Sequence, residues 1–367
     1  MKVLITGADG FIAKNLRETL QRDESVKLYL FSKDDSLNIL VAYLKEVDFV
    51  YHLAGVNRPK DNEDFYEGNS NLTKFIVDVL VKNEKFIPIV LSSSTQATQD
   101  NDYGKSKLQA ENIVLDYSKK YNVNTYVFRL PNVFGKWSKP NYNSVISTWC
   151  YNISHDIEIQ VNDETYSMNL VYIDDVVNEF IQCLSLDRTS GYSEVETVYV
   201  KTLGEIRDLL FEFKENRNSL VIPNVGSGFE RALYATYLSY LDTNDFSYKL
   251  SGHEDDRGTF YEILKTQDAG QFSLSTTKAG ITRGNHYHNT KNEKFLVVKG
   301  KALIEFRHIF SKEIISYEVS GESMEVVEMI PGYTHNIKNI GDDELLLFLW
   351  ANEQFDQKNP DTYFLKV

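Results

Sequence analysis

The chain has very little cysteine, with only Cys150 and Cys183 in 367 residues. Two cysteines cannot build the disulfide framework of a small secreted protein, so we expect a reducing, cytoplasmic environment. No stretch approaches the roughly 20 apolar residues that a membrane-spanning helix needs. The first residues, Met1–Ile5, lead straight into a predicted strand and do not resemble a signal peptide. We therefore expect no membrane as a partner.

Positive charge is scarce as well. The chain carries 39 Lys and Arg against 53 Asp and Glu, which gives a net charge of −14 at pH 7. Such a surface disfavours nucleic acid as a partner, although a local basic pocket for a phosphorylated ligand is left open. The length predicts two or three domains. A small molecule is the expected ligand.

The first two-thirds of the chain alternates predicted strands with predicted helices. Apolar runs and stretches with helical spacing follow each other in turn, with the runs at 3–5, 28–31, 49–53, 87–91 and 125–130. This alternation predicts a parallel sheet with right-handed crossovers. The turn from Gly7 to Gly10 lies between the first strand and the first helix, where backbone amides can approach a pyrophosphate.

The sequence of this turn, Thr-Gly-Ala-Asp-Gly-Phe-Ile-Ala from residue 6, resembles the glycine loop of extended short-chain dehydrogenases/reductases. The resemblance covers about residues 1–220 and implies a Rossmann-type α/β domain with a nicotinamide cofactor. It assigns to cofactor binding a set of residues in the loop and after the third strand: Gly7, Gly10, Phe11, Ile12, Leu53, Ala54 and Gly55.

The end of the second predicted strand bears on the choice of cofactor. Where the family places a carboxylate for the ribose of NAD, this chain has Ser32 and Lys33, and a carboxylate first occurs at Asp34. A hydroxyl and a cation suit a 2′-phosphate, so NADPH is favoured. The alternative is that Lys33 is a solvated loop charge.

Tyr103 and Lys107 are four residues apart at the start of a predicted helix and so share one face. The ammonium group is expected to lower the pKa of the phenol and to bind the nicotinamide ribose. Tyr103 is then the candidate proton donor to a carbonyl that is being reduced. Ser94 is expected to orient that carbonyl, with Ser93 or Thr95 as alternatives if the strand register differs by one.

The loop after Gly135 offers groups that suit a sugar substrate. Extended members of the family act mostly on nucleotide sugars and build the sugar pocket in this region. The loop contains stacking, charged and hydroxyl-binding side chains, namely Trp137, Lys139, Asn141, Tyr142 and Asn143. An ordinary polar loop is the alternative interpretation.

After residue 242 the pattern changes to short predicted strands between glycine turns. The runs at 272–275, 294–298, 302–307, 314–319 and 345–350 predict a small all-β unit, a barrel or jelly roll. We therefore divide the chain into a reductase domain at 1–242, with a sugar-binding part at about 136–242, and an all-β domain at 243–367.

This second region contains a candidate metal site. His286, His288 and Glu293 lie within eight residues, and His335 follows on a later predicted strand. The strand period of two places His286 and His288 on one face, as shared coordination requires. Three imidazoles and one carboxylate suit one divalent metal, with zinc favoured and manganese, iron or nickel left open.

The spacing of these ligands from residue 280 to 300 resembles the first cupin motif, and His335 with Asn339 resembles the end of the second. The segment 256–260 also resembles the leading part of cupin keto-sugar epimerases, which commonly lack the metal. Whether the ion is catalytic or structural is therefore left open.

Three further segments, Asn57–Pro59, Lys136–Asn143 and Asp361–Phe364, resemble bifunctional capsular polysaccharide biosynthesis enzymes over the whole chain. That resemblance implies that the cupin domain epimerises C3 of a UDP-linked 4-keto-6-deoxy amino sugar and that the reductase domain then reduces C4 with NADPH. The product implied is UDP-2-acetamido-2,6-dideoxy-L-talose. Inversion must come first, because the C3 hydrogen is acidic only while C4 is a ketone.

The base of the epimerase is left open among several side chains: His308, Tyr333, Tyr287, Lys294 and an unliganded His288. Two other functions stay in view, namely a cupin that only binds sugar or dimerises, and an oxygen-using metal cupin joined to a reductase. Related domains pair through helices or strands, so we expect a homodimer.

Overall fold

The computed structural model describes residues 1–57, 59, 61–185, 187–358 and 360–367. Arg58, which belongs to the Asn57–Pro59 segment, lies outside the described residues. The chain divides into two compact units, the first formed by residues 1–210 and 232–241 and the second by residues 211–231 and 242–367. The boundary between residues 242 and 243 stays a prediction.

The first unit is built from alternating strands and helices. Its strands are β1 (Lys2–Thr6), β2 (Lys27–Phe31), β3 (Phe49–His52), β4 (Ile89–Ser94), β5 (Thr125–Leu130), β6 (Asn132–Phe134), β7 (Ser167–Tyr172), β8 (Gly191–Ser193) and β9 (Tyr199–Thr202). Its helices are α1 (Phe11–Leu20), α2 (Leu37–Glu46), α3 (Glu63–Tyr66), α4 (Leu72–Lys82), α5 (Asp102–Tyr121), α6 (Val145–Ser154) and α7 (Ile173–Gln182). A π-helical turn, Glu67–Asn71, joins α3 to α4.

Six strands form a parallel sheet in the order β2-β1-β3-β4-β5-β8. Alternate residues of a strand point to opposite faces, so Val3 and Ile5 join one apolar core while Leu4 joins the other. The chain moves from β1 outward to β2 and then returns to β3 on the other side. In such sheets ligands bind outside the carboxyl ends of the strands where the order reverses.

A second, three-stranded sheet in the order β6-β7-β9 was not predicted from the sequence. Two further helices follow it, α8 (Leu203–Ser219) and α9 (Gly228–Leu238). In the described ranges no helix is both long enough and apolar enough to cross a membrane.

Apart from parts of these helices and a 3-10 turn, Thr243–Asp245, the second unit is built from β-strands. Its strands are β10 (Val221–Ile222), β11 (Gly252–Asp255), β12 (Gly258–Thr266), β13 (Gln271–Thr277), β14 (Thr282–Tyr287), β15 (Glu293–Lys299), β16 (Lys301–His308), β17 (Ile314–Ser320), β18 (Val326–Met329), β19 (Tyr333–Asn339), β20 (Leu345–Ala351) and β21 (Tyr363–Phe364).

These strands form two sheets that share one core. One sheet has the order β10-β12-β13-β20-β15-β18, with β11 paired to β12, and the other has the order β17-β16-β19-β14-β21. Except for β10 with β12, the strand pairs are antiparallel. Side chains of both sheets form the apolar cluster, for example Phe295 and Leu347 from one sheet and Ile304 and Ile337 from the other. The predicted fold class is thereby confirmed: a parallel α/β domain followed by an antiparallel all-β domain.

Candidate active site and metal cluster

A cleft of about 1120 Å³ opens in the first unit at the carboxyl ends of its central strands. Most of the predicted site residues line this cleft: Gly7, Gly10, Phe11, Ile12, Leu53, Gly55, Ser94, Tyr103 and Lys107. Ser32, Lys33 and Ala54 are not among the residues that line it. The sequence-predicted reductase residues are thus brought to one place, with three exceptions.

The glycine turn packs against the chain that leaves β3. Gly7 has φ +67°, and a Cβ at this position would lie 2.7 Å from the Cα of Ala54. Ala54 therefore supports the turn from behind, and its N–H donates to Thr6 Oγ1 over 3.3 Å. The first turn of α1 lines the cleft, where free backbone N–H groups suit an anionic pyrophosphate. The turn fits a dinucleotide.

Ser32 and Lys33 lie directly beyond β2. The backbone N–H of Ser32 donates to the Asp35 carboxylate over 2.7 Å, while Lys33 is exposed. In the sequence, the first carboxylate after β2 is Asp34. In the structure, it is the Asp35 carboxylate that accepts the Ser32 N–H.

Tyr103 lies in the first turn of α5, and Ser94 is the last residue of β4. Both side chains line the cleft, and the Ser94 hydroxyl lies near enough to affect the pKa of the phenol. Burial raises the pKa of Tyr103, and the Ser94 hydroxyl only opposes that rise. The prediction that Lys107 lowers the pKa of the phenol is therefore wrong, because the net direction is upward and has burial as its cause.

Lys107 lies one helical turn beyond Tyr103 and is 7% exposed. Its ammonium group donates to the backbone oxygen of Ser92 over 3.2 Å. Burial lowers the pKa of Lys107 to about 8, although the charge of Glu111 opposes this shift. A Cβ at Gly55 would lie 3.0 Å from Lys107 Nζ, so the glycine leaves room for the amine.

A buried carboxylate next to this group was missed by sequence reasoning. Glu111 is fully buried and accepts hydrogen bonds from Arg129 Nη2 over 2.6 Å, from the Tyr192 hydroxyl over 2.9 Å and from Ser93. The sequence signal that could have identified Glu111 is its position four residues after Lys107 on the same helix. Of the serines left open from the sequence, Ser93 is thus bound to Glu111, while the Ser94 hydroxyl accepts the Gln96 N–H over 3.2 Å and lines the cleft with Tyr103.

The loop after Gly135 contributes Trp137, Lys139, Tyr142 and Asn143 to the cleft wall. Trp137 is 48% exposed and has φ 71°, which is unusual for a bulky residue. Lys139 Nζ lies 5.6 Å from the ring centre of Tyr142. Exposed aromatic rings beside cations suit a ligand that has both a flat ring and negative charge.

The second unit contains the predicted metal cluster. The ligand atoms of His286, His288, Glu293 and His335 all lie within 4.8 Å of one another. His286 and His335 face each other on the paired strands β14 and β19, and Glu293 begins β15 of the other sheet. His288 follows the end of β14, so the cluster joins both sheets and one loop.

This donor set fits a metal ion. Glu293 Oε2 lies 3.3 Å from His288 Nε2 and 3.5 Å from His335 Nε2. Two ligand atoms of a tetrahedral zinc site lie about 3.3 Å apart, given metal–ligand bonds near 2 Å. Within the described part of the chain, neither ring nitrogen of the buried His335 has a hydrogen-bonding partner. A bound cation would satisfy one of them.

The electrostatics of the cluster favour the protonation states in which these side chains can bind a metal. Burial lowers the pKa of His286 to about 4, with His335 and His288 adding to the effect, so its imidazole is neutral. Burial opposes the charged form of Glu293, but the adjacent imidazoles of His288 and His335 and the charge of Lys291 hold its pKa below the ordinary value. Metal coordination requires neutral imidazoles and an ionised carboxylate.

His308 and Tyr333 lie beside the cluster. They are cross-strand neighbours, two residues along from the pair Phe306 and His335, and therefore share the inward face of the sheet. Their ring centres are 5.0 Å apart, and Tyr333 packs against the core of the unit. The amide of Phe310 donates to His308 Nδ1 over 3.2 Å.

The two units match two family models. Residues 3–194 match the NAD dependent epimerase/dehydratase family, and residues 253–363 match the polysaccharide biosynthesis C-terminal domain. The UDP-2-acetamido-2,6-beta-L-arabino-hexul-4-ose reductase of Pseudomonas aeruginosa is 47% identical over 368 residues, which cover 100% of this chain and 99% of the relative. The crystal structure of the capsular polysaccharide assembling protein CapF from Staphylococcus aureus has a TM-score of 0.93 and 48% identity, with 100% of each chain covered.

The chain belongs to the CapF-like capsular polysaccharide enzymes. A more distant likeness is confined to the fold of the first part, because UDP-glucuronic acid 4-epimerase from Bacillus cereus has a TM-score of 0.57 at 18% identity and covers 65% of this chain and 98% of its own. Membership of the NAD dependent epimerase/dehydratase family implies a nicotinamide cofactor for the CapF-like chain. The family resemblance predicted from the sequence is confirmed.

Proposed function

We propose that the chain is a bifunctional nucleotide-sugar enzyme. Its second unit inverts C3 of UDP-2-acetamido-2,6-dideoxy-L-arabino-4-hexulose. Its first unit reduces the C4 ketone with NADPH to UDP-2-acetamido-2,6-dideoxy-L-talose, a precursor of UDP-N-acetyl-L-fucosamine for capsular or surface polysaccharide. The substrate class is taken from the Pseudomonas aeruginosa relative, which is a UDP-linked hexulose reductase.

The reduction is supported by one observation above all, the presence of Ser94, Tyr103 and Lys107 together on the wall of one cleft. A bound nicotinamide cofactor supplies the hydride. Tyr103 keeps its proton at neutral pH because burial raises its pKa, and it donates that proton to the ketone oxygen. Ser94 binds the same oxygen, and Lys107, which is charged below about pH 8 and lies one helical turn beyond Tyr103, binds the nicotinamide ribose.

NADPH stays our proposed cofactor because of the pair at the end of β2. Lys33 is exposed and next to Ser32, so a cation and a hydroxyl are available to a 2′-phosphate. The Asp35 carboxylate is occupied by the Ser32 N–H, which lessens its use for a ribose hydroxyl. The ratio of kcat/KM for NADPH and NADH tests this, and Lys33→Ala should lower only the NADPH value.

For the epimerisation, we favour His308 and Tyr333 among the open candidates. The Tyr287 ring stacks on Tyr363, and Lys294 is exposed and paired with Glu328, so both are engaged elsewhere.

His308 and Tyr333 lie side by side on the inward face next to the cluster. Epimerisation needs one group to remove the C3 proton and another to return a proton to the opposite face. Either side chain can serve as the group that acts on one face of C3.

The cluster of His286, His288, Glu293 and His335 is our proposed site for one divalent metal, with zinc favoured. A bound ion would supply positive charge that can stabilise an enolate oxygen or hold the two sheets together. Dialysis against a chelator, followed by separate assays of epimerisation and thermal unfolding, distinguishes the two roles.

A second candidate function keeps the reductase but makes the all-β unit a non-catalytic dimerisation or sugar-binding module. It is favoured by the Pseudomonas aeruginosa relative, whose name is that of a reductase. A homodimer and a cytoplasmic location also stay predictions, and sedimentation of the full chain tests the first of them.

The reductase proposal is tested by NADPH oxidation with the UDP-linked ketone and by identification of the product by NMR. Tyr103→Phe should lower kcat by about 100-fold or more, since a positioned proton donor typically contributes at least that much. Tyr121→Phe is the matched control, because it removes a hydroxyl from the far end of the same helix. Equal rates in wild type and Tyr103→Phe would contradict the assignment.

A further inference from the structure

The segment Asp361–Val367 is joined to the strand that carries the first histidine of the cluster. Its strand β21 pairs with β14, where Phe364 lies opposite His286 and Tyr363 lies opposite Tyr287. The amide of Leu365 donates to the backbone oxygen of Asn285 over 2.9 Å. The segment therefore contains the edge strand of this sheet, next to the cluster.

The carboxylate of Asp361 holds the loop that links two of the proposed ligands. It accepts the backbone N–H groups of three successive residues, Asn289 over 3.0 Å, Thr290 over 2.7 Å and Lys291 over 2.8 Å. The Thr290 hydroxyl donates to the same carboxylate over 3.1 Å. Three amides that converge on one anion fix the course of a short loop. This loop runs from His288 to Glu293.

The backbone of the same residue orients His288. The carbonyl oxygen of Asp361 is hydrogen-bonded to His288 Nδ1. Because a carbonyl oxygen can only accept, Nδ1 must carry the proton. The other ring nitrogen, Nε2, is then directed at the cluster, 3.3 Å from Glu293 Oε2. Such contacts behind a ligand histidine fix its tautomer and ring orientation.

We propose that Asp361 is a positioning residue for the metal centre, which its backbone and side chain serve in two ways. The backbone carbonyl sets the tautomer of His288, and the carboxylate fixes the loop between His288 and Glu293. The inference rests on the proposed metal site and extends it to a residue 68 positions beyond Glu293 in the sequence.

Two contacts hold this segment in place independently of Asp361, one to the sheet and one to the loop. Thr334, which precedes the ligand His335, donates its hydroxyl to the Leu365 carbonyl. Lys291 Nζ donates to the Thr362 hydroxyl over 3.2 Å. A change at Asp361 should therefore loosen the ligand loop without releasing the whole segment. The effect should appear in metal release before it appears in unfolding.

The test compares zinc release from full-length proteins loaded with one equivalent of zinc, followed with a chromogenic chelator. Asp361→Asn keeps the size of the side chain and removes its charge. It should release zinc about 10-fold faster or more, because partners behind a metal ligand typically change affinity by 10- to 100-fold. Asp242→Asn is the matched control, since this carboxylate also accepts a backbone N–H, from Asn244 over 2.8 Å, in the same unit.

The outcomes separate this inference from the metal site itself. Wild type should bind one zinc, and His335→Ala should lose it. If wild type binds none, the metal site and this inference fail together. If wild type binds zinc and Asp361→Asn releases it at the wild-type rate, the inference alone is overturned.

A second variant covers the case in which Asp361→Asn does not fold by circular dichroism. Thr290→Val removes one donor to the same carboxylate and leaves the three amide contacts in place. It should release zinc about 2- to 5-fold faster, as the loss of one neutral hydrogen bond implies. Release at the wild-type rate in this variant would also overturn the inference.

Discussion

Replacing Lys107 by methionine should stop the reduction and yet stabilise the first unit at neutral pH. The pKa of Lys107 falls from 10.5 to about 8 because burial opposes its charge. A shift of this size means that the buried ammonium opposes folding by about 3 kcal/mol at pH 7. Methionine has no charge, but it forfeits the bond to the Ser92 carbonyl, which contributes about 1 kcal/mol. The expected net gain is about 2 kcal/mol.

The pH dependence has a definite sign. Between pH 8 and pH 10.5 the unfolded chain holds a proton on this amine that the folded chain has released, so wild-type stability rises with pH. At pH 10 the penalty falls to about 1 kcal/mol, and the advantage of methionine should vanish.

The assay is urea unfolding of the full chain at pH 7 and pH 10. Limited proteolysis, with fragments of residues 1–210 quantified by mass spectrometry, reports the first unit separately. A methionine variant less stable than wild type at pH 7, or an advantage that does not shrink at pH 10, would refute the reasoning.

Two further predictions concern the same cleft. For wild type, kcat/KM for reduction should fall as pH rises through about 8, where Lys107 loses its proton. Glu111→Gln should move this fall to lower pH, since the charge of Glu111 raises the pKa of Lys107. A pH profile that is unchanged in Glu111→Gln would contradict this role of Glu111. Gly7→Ala should weaken NADPH binding and destabilise the chain by about 1–3 kcal/mol, because its Cβ would meet Ala54 while φ stays at +67°. NADPH titration by fluorescence and urea unfolding measure both effects, and Gly10→Ala, a position without positive φ, should be milder.

Local patterns were sufficient for the fold class and for much of the candidate site. The turn at Gly7 to Gly10 predicted the first strand, turn and helix because glycine and small residues there allow a tight turn and a close approach of the backbone to a pyrophosphate. The spacing of Tyr103 and Lys107 placed both on one helix face, and the structure has both on the cleft wall. These inferences depend on neighbours in sequence.

Long-range partners could not be predicted in the same way. The contact of Glu111 with Arg129 and the contact of Asp361 with His288 each join residues that lie far apart in the chain. The pKa of Tyr103 was predicted in the wrong direction because burial, which spacing does not reveal, is the largest cause of its shift.

The central claim is that one chain carries out inversion at C3 and reduction at C4. The most direct test is to incubate the protein with UDP-2-acetamido-2,6-dideoxy-L-arabino-4-hexulose in D₂O without NADPH and to follow the C3 proton by NMR. We predict that the C3 signal is lost, and that Tyr103→Phe loses it at the wild-type rate. A C3 signal that persists, while NADPH is oxidised normally when the C3-inverted ketone is supplied, would contradict the claim and leave a reductase with a non-catalytic second unit.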